Sequence, residues 1–351
     1  MKRVAILCGG PGSEHEISCI SASGVLSAID RTRFEPVLIG ITREGKWMLL
    51  PLDYPLAMVN KRLPSITGNF PEVTRTRGGL ALGGEKLAID RIFPVLHGTY
   101  GEDGQLQREL ALVGIKYVGS AAAASEIAMD KAESKIAFAR HGIQGAPGIT
   151  VTAEEWKKNP VEVEVSIQHL GLPVFVKAAR GGSSRGTVKV KDYKDFASAM
   201  TEALSYDSKV LVESAIVGAE VECAVLQVGR EVKASMPGKV WIDPHFEFYD
   251  FEAKYLDGAT RIDIPAPFDP LVNRAIREYA VKAFKAIGAS GLARVDFFVT
   301  PTNQIIINEI NTMPGFTPIS MFPTCWQASG LSYPQLIDEL IQVALAHHAE
   351  D

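Results

Sequence analysis

Residues 291–316 constrain this chain more than any other stretch. Two β-rich runs, 293–299 and 305–310, flank Pro301-Thr302-Asn303-Gln304, a turn by composition. A loop of two or four residues centred between Thr302 and Asn303 places Asp296 opposite Glu309 and Arg294 opposite Asn311. Directly opposed residues on one face have Cβ atoms roughly 5 Å apart, and like charges there repel. Two facing carboxylates therefore need a proton or a cation between them. With Asn311 alongside, the face offers hard oxygen ligands suited to Mg²⁺, which takes one or two carboxylates together with waters and substrate phosphates. Arg294 on that face adds charge for an anionic ligand or a developing oxyanion. The alternative is an ordinary polar hairpin face with Arg294 paired to Glu309.

Composition narrows the class. The chain has 351 residues, 46% hydrophobic and 22% charged, enough for two or three domains of a soluble protein. A net charge of −5 and the lack of a basic run argue against nucleic acid. No apolar run approaches the roughly 20 residues of a membrane span. The opening run 4–8 ends at Gly9-Gly10 and reads as a first strand, not a signal peptide. Cys8, Cys19, Cys223 and Cys325 form neither a CxxC pair nor a zinc spacing, which fits a reducing cytoplasm.

Taken in order, the first strand leads through Gly9-Gly10-Pro11-Gly12-Ser13 into a helix from about residue 14 to 29. Ser13 is the expected N-cap, with Glu14 at the positive helix end. Such a strand–loop–helix unit puts Glu14 at the carboxyl edge of a sheet, where ligands bind. Gly10-Pro11-Gly12 starts a dinucleotide fingerprint, but His15 stands at its third glycine position, so the match fails. A second strand is expected over 34–41 and another over 92–96, with 42–85 as a peripheral insertion. The loop His97-Gly98-Thr99-Tyr100-Gly101-Glu102-Asp103-Gly104 has a ligand-loop composition. A lone His such as His97 is more often structural than catalytic.

Ser125 caps an expected helix to Arg140, closed by Gly142, with Lys131 inside it. Thr152-Ala153-Glu154-Glu155 is a capping-box pattern. A strand over 172–177 ends in Lys177. The loop Arg180-Gly181-Gly182-Ser183-Ser184-Arg185-Gly186 then suits phosphate, although it lacks the GK[ST] ending of a Walker loop and a strand follows it. A flexible surface turn is the even alternative. The strand 210–213 and connector 214–218 present Glu213 and Glu220, either to a flat heterocycle or as a plain interdomain link. Residues 238–263, rich in aromatics without period, read as an ordered lid. Asp269-Pro270 opens a helix closed by Gly288, and Ser332 caps a final amphipathic helix.

Together these parts resemble the ATP-grasp superfamily and, more narrowly, its D-alanine–D-alanine ligases. The motifs are Glu14-His15-Glu16-Ile17-Ser18, His97-Gly98 with Gly101-Glu102-Asp103-Gly104, Phe248-Tyr249-Asp250-Phe251-Glu252-Ala253-Lys254-Tyr255, and Asn308-Glu309-Ile310-Asn311-Thr312-Met313-Pro314-Gly315-Phe316-Thr317. They span nearly the whole chain, in family order.

The resemblance implies an α/β fold with α+β C-terminal parts. A parallel α/β domain (1–122) would precede two sheet-and-helix domains (123–215 and 216–351) that clasp ATP. It implies nucleotide contacts from Lys131, Lys177, Ser184, Glu213, Ala215, Ile216 and Glu220. Asp296, Glu309 and Asn311 would hold Mg²⁺, two ions, with Mn²⁺ as a substitute. Glu14 would hold the first D-alanine's ammonium in a triad with Ser183 and Tyr255, and Arg294 and the Gly315 amide would stabilise the oxyanion. His97, Lys254, Ser320 and Met321 would contact D-alanine, the last two at the second carboxylate.

The implied reaction joins two D-alanines through an acyl phosphate, as a cytoplasmic homodimer supplying peptidoglycan precursors. Ala178 after Lys177 and Arg185 after Ser184 depart from the family pattern, and Arg185 bears on the role of Ser183. The Lys254-Tyr255 pair matches enzymes that make the dipeptide rather than a D-lactate ester. The competing readings are another ATP-grasp carboxylate–amine ligase with a different amino-acid or hydroxy-acid acceptor, and a nucleotide-binding regulator without turnover.

Overall fold

The structure, a computed structural model, describes residues 1–60, 62–182, 185–242 and 260–346. Its N-terminal part contains β1 (Lys2–Gly9), α1 (His15–Ala28), β2 (Phe34–Ile41), β3 (Trp47–Leu50), β4 (Val73–Thr76), β5 (Gly79–Leu82), β6 (Glu85–Leu87), β7 (Arg91–Pro94) and α2 (Gln105–Val113). The main sheet runs β3-β2-β1-β7, with β1 parallel to both β2 and β7. Val4 to Cys8 are fully buried, as a strand covered on both faces must be. Residues 42–85 are no mere insertion. Trp47 and Leu50 bury on β3, which extends the main sheet, and β4-β5-β6 form a small sheet of their own. Strands of three or four residues are too short to show a period in sequence.

Helix α1 starts one residue later than expected. Glu14 is the N-cap, with no side-chain capping bond, and its carbonyl accepts from Ser18 N–H at 3.0 Å. Ser13 stays outside and exposed. The helix buries Ile17, Cys19, Ala22 and Val25 against the sheet.

The middle of the chain comprises α3 (Ala122–Met129), α4 (Lys131–Arg140), β8 (Gly148–Thr152), α5 (Ala153–Lys158), α6 (Pro160–Gln168), β9 (Val174–Ala178), β10 (Thr187–Val190), α7 (Phe196–Tyr206) and β11 (Lys209–Ser214). The single helix expected over 125–140 is two. Asp130 leaves the helical region (φ −85°, ψ 100°), and its carboxylate accepts from the Ala132 and Glu133 N–H groups. Ser125, the expected cap, is buried inside α3. An Asp cap of this kind contributes about 1 kcal/mol, and it sets Lys131 at the first turn of a fresh helix. Gly142 closes α4 at φ +64°, and Thr152 and Glu155 form the expected capping box. The sheet is antiparallel throughout, in the order β10-β9-β11-β8, and α7 buries Phe196, Met200 and Ala203 on it.

The last part holds β12 (Ala219–Val228), β13 (Glu231–Ala234), β14 (Gly238–Ile242), β15 (Thr260–Asp263), α8 (Pro270–Ala286), β16 (Leu292–Val299), β17 (Ile305–Asn311), α9 (Met321–Ala328) and α10 (Tyr333–Ala346). The sheet runs β15-β14-β12-β16-β17, with β13 also paired to β12. Both ends of the expected lid are thus ladder-forming strands. Its motif over 248–255, with Lys254 and Tyr255, lies outside the described residues, as do Ser183 and Ser184.

The hairpin register is as expected at the site and different at the turn. Asp296 pairs with Glu309 and Arg294 with Asn311, but Phe297 pairs with Ile307 and Val299 with Ile305. The turn holds three residues: Thr300 N–H donates to Gln304 O, and Asn303 sits at φ +62°. Asn308 is then an extra residue on β17, a β-bulge. A one-residue slip turns every side chain to the other face, so the bulge is what keeps Glu309 on the face of Asp296.

Candidate active site

One cavity of about 420 Å³ runs between the middle and C-terminal sheets and reaches the N-terminal loops. Its floor is the hairpin. Arg294, Asp296, Glu309 and Asn311 all line it, because β16 alternates Arg294, Asp296 and Phe298 outward with Val295 and Phe297 in the core. Arg294 grips Asp296 through both carboxylate oxygens, Nε–Oδ1 2.8 Å and Nη2–Oδ2 2.7 Å. Its Nε also lies 2.9 Å from Glu222 Oε2. The guanidinium is buried, which disfavours its charge, yet Asp296 and Glu222 raise its pKa well above the usual value. The expected alternative, Arg294 paired to Glu309, is not what forms: the Arg294 salt bridges are to Asp296 and Glu222. Sequence reading missed Glu222, two residues after Glu220 and so on the same face of a strand.

Three carboxylates, Glu222, Asp296 and Glu309, thus surround Arg294, and Lys131 Nζ stands 3.7 Å from Glu309 Oε2. Asn311 Oδ1 accepts from Met313 N–H at 3.0 Å, which fixes the amide oxygen. This donor set, two facing carboxylates with an amide oxygen and surplus negative charge, fits a hard divalent cation. Among the described residues no group of three or more His, Cys, Asp or Glu side chains is spaced to hold a metal alone. A cation on the hairpin would therefore complete its shell with water and substrate oxygens.

A second wall comes from the middle sheet. Phe175 and Lys177 on β9 and Thr187 and Lys189 on β10 line the cavity, as alternate residues of paired strands do. Lys177 Nζ donates to Glu213 Oε2 at 2.9 Å. Lys131 donates to Gly181 O at 2.6 Å, tying α4 to the glycine loop. Glu213, Ala215, Ile216 and Glu220 line the same end. Ala215 N–H donates to Pro173 O and Ser214 N–H to Pro147 O, so the connector is held as an extended edge.

The N-terminal loops form the third wall, with Glu14, His97 and Glu102. Gly98 sits at φ +77°, a conformation that favours glycine, and a Cβ there would lie 2.9 Å from Glu14 Oε2, so a larger residue would be strained and would displace the Glu14 carboxylate. His97 has both ring nitrogens engaged, Nδ1 with Met313 O at 3.1 Å and Nε2 with Ser21 Oγ at 2.9 Å. Because a carbonyl only accepts, Nδ1 carries the proton. Burial lowers the ring's pKa below the usual value. His97 thus clasps the 312–317 loop to α1, a structural role beside its place in the wall. Glu102 accepts from Gly98 N–H at 2.8 Å, and burial followed by the charge of Glu14 pushes its pKa up to about 8. His15, from the first motif, is buried, and its ring bonds Gly10 O and Ile66 N–H.

Gly315 lines the cavity from that clasped loop. The next residue, Phe316, anchors it: its ring packs 5.6 Å from both Phe93 and Tyr333, and its carbonyl accepts from Tyr333 Oη at 2.7 Å. Ser320 and Met321, in contrast, are not among the lining residues. The Ser320 hydroxyl bonds Thr317, and Met321 is buried in the core at the start of α9.

Residues 3–120 match the model of the D-ala D-ala ligase N-terminus, and residues 137–342 that of the D-ala D-ala ligase C-terminus. The chain belongs to the D-ala D-ala ligase family. It is 44% identical to a D-alanine--D-alanine ligase of Arthrobacter sp. (strain FB24), over 98% of this chain and 94% of the relative. With that of Paenarthrobacter aurescens (strain TC1) it shares 45% identity, over 98% and 95%. Among solved structures, the VanG D-Ala:D-Ser ligase from Enterococcus faecalis superposes with a TM-score of 0.86 at 34% identity, covering 98% of this chain and 99% of that one. The D-alanine-D-alanine ligase from Coxiella burnetii superposes with a TM-score of 0.84 at 33% identity, covering 100% and 97%. The fold of this family member is accordingly the ATP-grasp fold. No described helix is long and apolar enough to cross a membrane.

Proposed function

We propose that this family member joins two D-alanines at the expense of ATP, forming D-alanyl-D-alanine for peptidoglycan synthesis through an acyl phosphate of the first D-alanine. The observation that carries the reading is that Asp296 and Glu309 face each other across β16 and β17 in one cavity with Lys131, Lys177, Glu14 and Gly315. A carboxylate is a poor acyl electrophile, and phosphoryl transfer depends on positioning and charge neutralisation rather than on covalent help from protein groups. Lys131 and Lys177 would contact the nucleotide phosphates, with Ser183 and Ser184 of the glycine loop. Glu213, Ala215, Ile216 and Glu220 would hold adenine and ribose.

Asp296, Glu309 and Asn311 would hold Mg²⁺, which when bound neutralises charge on the phosphoryl oxygens. Glu14, with Ser183 and Tyr255, would position the first D-alanine. Arg294 and the Gly315 amide would stabilise the oxyanion formed as the second amine attacks. Lys254, His97, Ser320 and Met321 remain candidate contacts for the two amino acids, Ser320 and Met321 only if the 317–320 turn opens toward the cavity. The domain division at 122/123 and 215/216, a homodimer and a cytoplasmic setting belong to the same reading.

A second acceptor is the alternative with support, because the VanG neighbour is a D-Ala:D-Ser ligase. Competition among D-alanine, D-serine and D-lactate at the second site decides between them. D-alanyl-D-alanine is the expected dominant product near neutral pH. A dominant D-alanyl-D-serine or D-alanyl-D-lactate product would overturn the assignment.

A further inference from the structure

Lys135 stands one helical turn beyond Lys131 on α4 and so on the same helix face. Unlike Lys131, it is not part of the cavity lining. Its side chain is 13% exposed, and Nζ lies 2.6 Å from Glu213 Oε1. Glu213, 2% exposed, therefore divides its carboxylate between two lysines, Oε1 toward Lys135 behind the wall and Oε2 toward Lys177 within it. Burial opposes the charge on Glu213, yet Lys177 and Lys135 together hold its pKa below the usual carboxylate range.

One buried carboxylate needs one cation, and this one has two. A lone lysine partner at Lys177 could not leave without stranding a buried charge, which is strongly unfavourable. We propose that Lys135 is a positioning residue for the nucleotide: by holding Glu213 from behind the cavity wall, it releases Lys177 to the phosphates and turns Glu213 Oε2 over to the nucleoside. The inference rests on the reading of Lys177 as a phosphate contact. It deepens that reading by naming what makes Lys177 available.

The test is ADP affinity in the presence of Mg²⁺, measured by titration calorimetry without D-alanine, alongside thermal melts. Lys135→Met is expected to weaken ADP at least about tenfold, because the remaining lysine is then retained by Glu213. Lys135→Arg restores most of that loss. In a Glu213→Gln background nothing retains Lys177, so adding Lys135→Met shifts ADP affinity by no more than about twofold. Should Lys135→Met fail to fold, the double variant against Glu213→Gln carries the test, since the buried carboxylate is gone with its lysine. A lower melting temperature with unchanged ADP affinity would overturn the proposal, as would a further tenfold loss in the double variant. Wild-type protein that binds no ADP would instead overturn the nucleotide reading beneath it, and Lys177→Met tests that reading separately.

Discussion

Two buried ion clusters face each other across the cavity with opposite arithmetic. On the middle sheet, one carboxylate, Glu213, is held by two lysines, Lys135 and Lys177. On the C-terminal sheet, one guanidinium, Arg294, is held by two carboxylates, Asp296 and Glu222, with a third, Glu309, directly opposite Asp296. The first cluster has positive charge to spare and the second has negative charge to spare. Spare cation suits phosphate oxygens, and spare carboxylate suits a divalent cation, so a magnesium nucleotide laid between them would complete both. Neither cluster is a stabilising device first, because buried ion pairs return little net stability.

The comparison breaks most readily at Arg294. Arg294→Met leaves Asp296 and Glu222 buried without their cation, and a loss of roughly 3–5 kcal/mol is expected in denaturant melts, with ligation reduced beyond detection. Glu309→Gln keeps the shape and removes one carboxylate charge together with its ion pair to Lys131. Its expected signature is a fall of about 10²–10³ in kcat with a raised Mg²⁺ requirement and little change in melting temperature, read by phosphate release across a metal titration. Undiminished turnover in that variant would refute the metal assignment.

A smaller effect sharpens the charge picture at the third wall. Glu102 keeps its proton up to about 8, because burial and Glu14 oppose its ionisation. A carboxyl whose folded pKa is raised binds more protons folded than unfolded above the ordinary carboxylate range, so stability falls as pH rises toward 8. Melts of wild type against Glu102→Gln across that range should show the slope in wild type and its flattening in the variant. The smallest effect is a control far from both clusters: Thr152→Ala removes the capping box of α5 and should lower stability by about 1 kcal/mol without changing turnover.

The hairpin and the α5 cap were legible in sequence because their signals are local. Arg294 with Asp296, and Glu309 with Asn311, share a face by alternation within each strand, and Thr152 with Glu155 announces its own cap. What was hidden depends on geometry that sequence spacing does not carry. The hairpin register survived only because a three-residue turn and the Asn308 bulge offset each other. Asp130 split a helix that looked continuous, since its side chain could satisfy the next turn's N–H groups. Strands β3 to β6 were too short to display a period. Lys135 and Glu222 escaped notice although each sits at a regular offset, four and two residues, from a residue already singled out. Their importance lies in partners brought from other strands.

The most direct measurement supplies ATP, Mg²⁺ and D-alanine as the only amino acid and follows phosphate release together with the mass of the product. One D-alanyl-D-alanine per phosphate, absent when either ATP or Mg²⁺ is withheld, is the predicted result. Phosphate release that ignores D-alanine, or dipeptide formed without the metal, would contradict a magnesium nucleotide held between the two charge clusters.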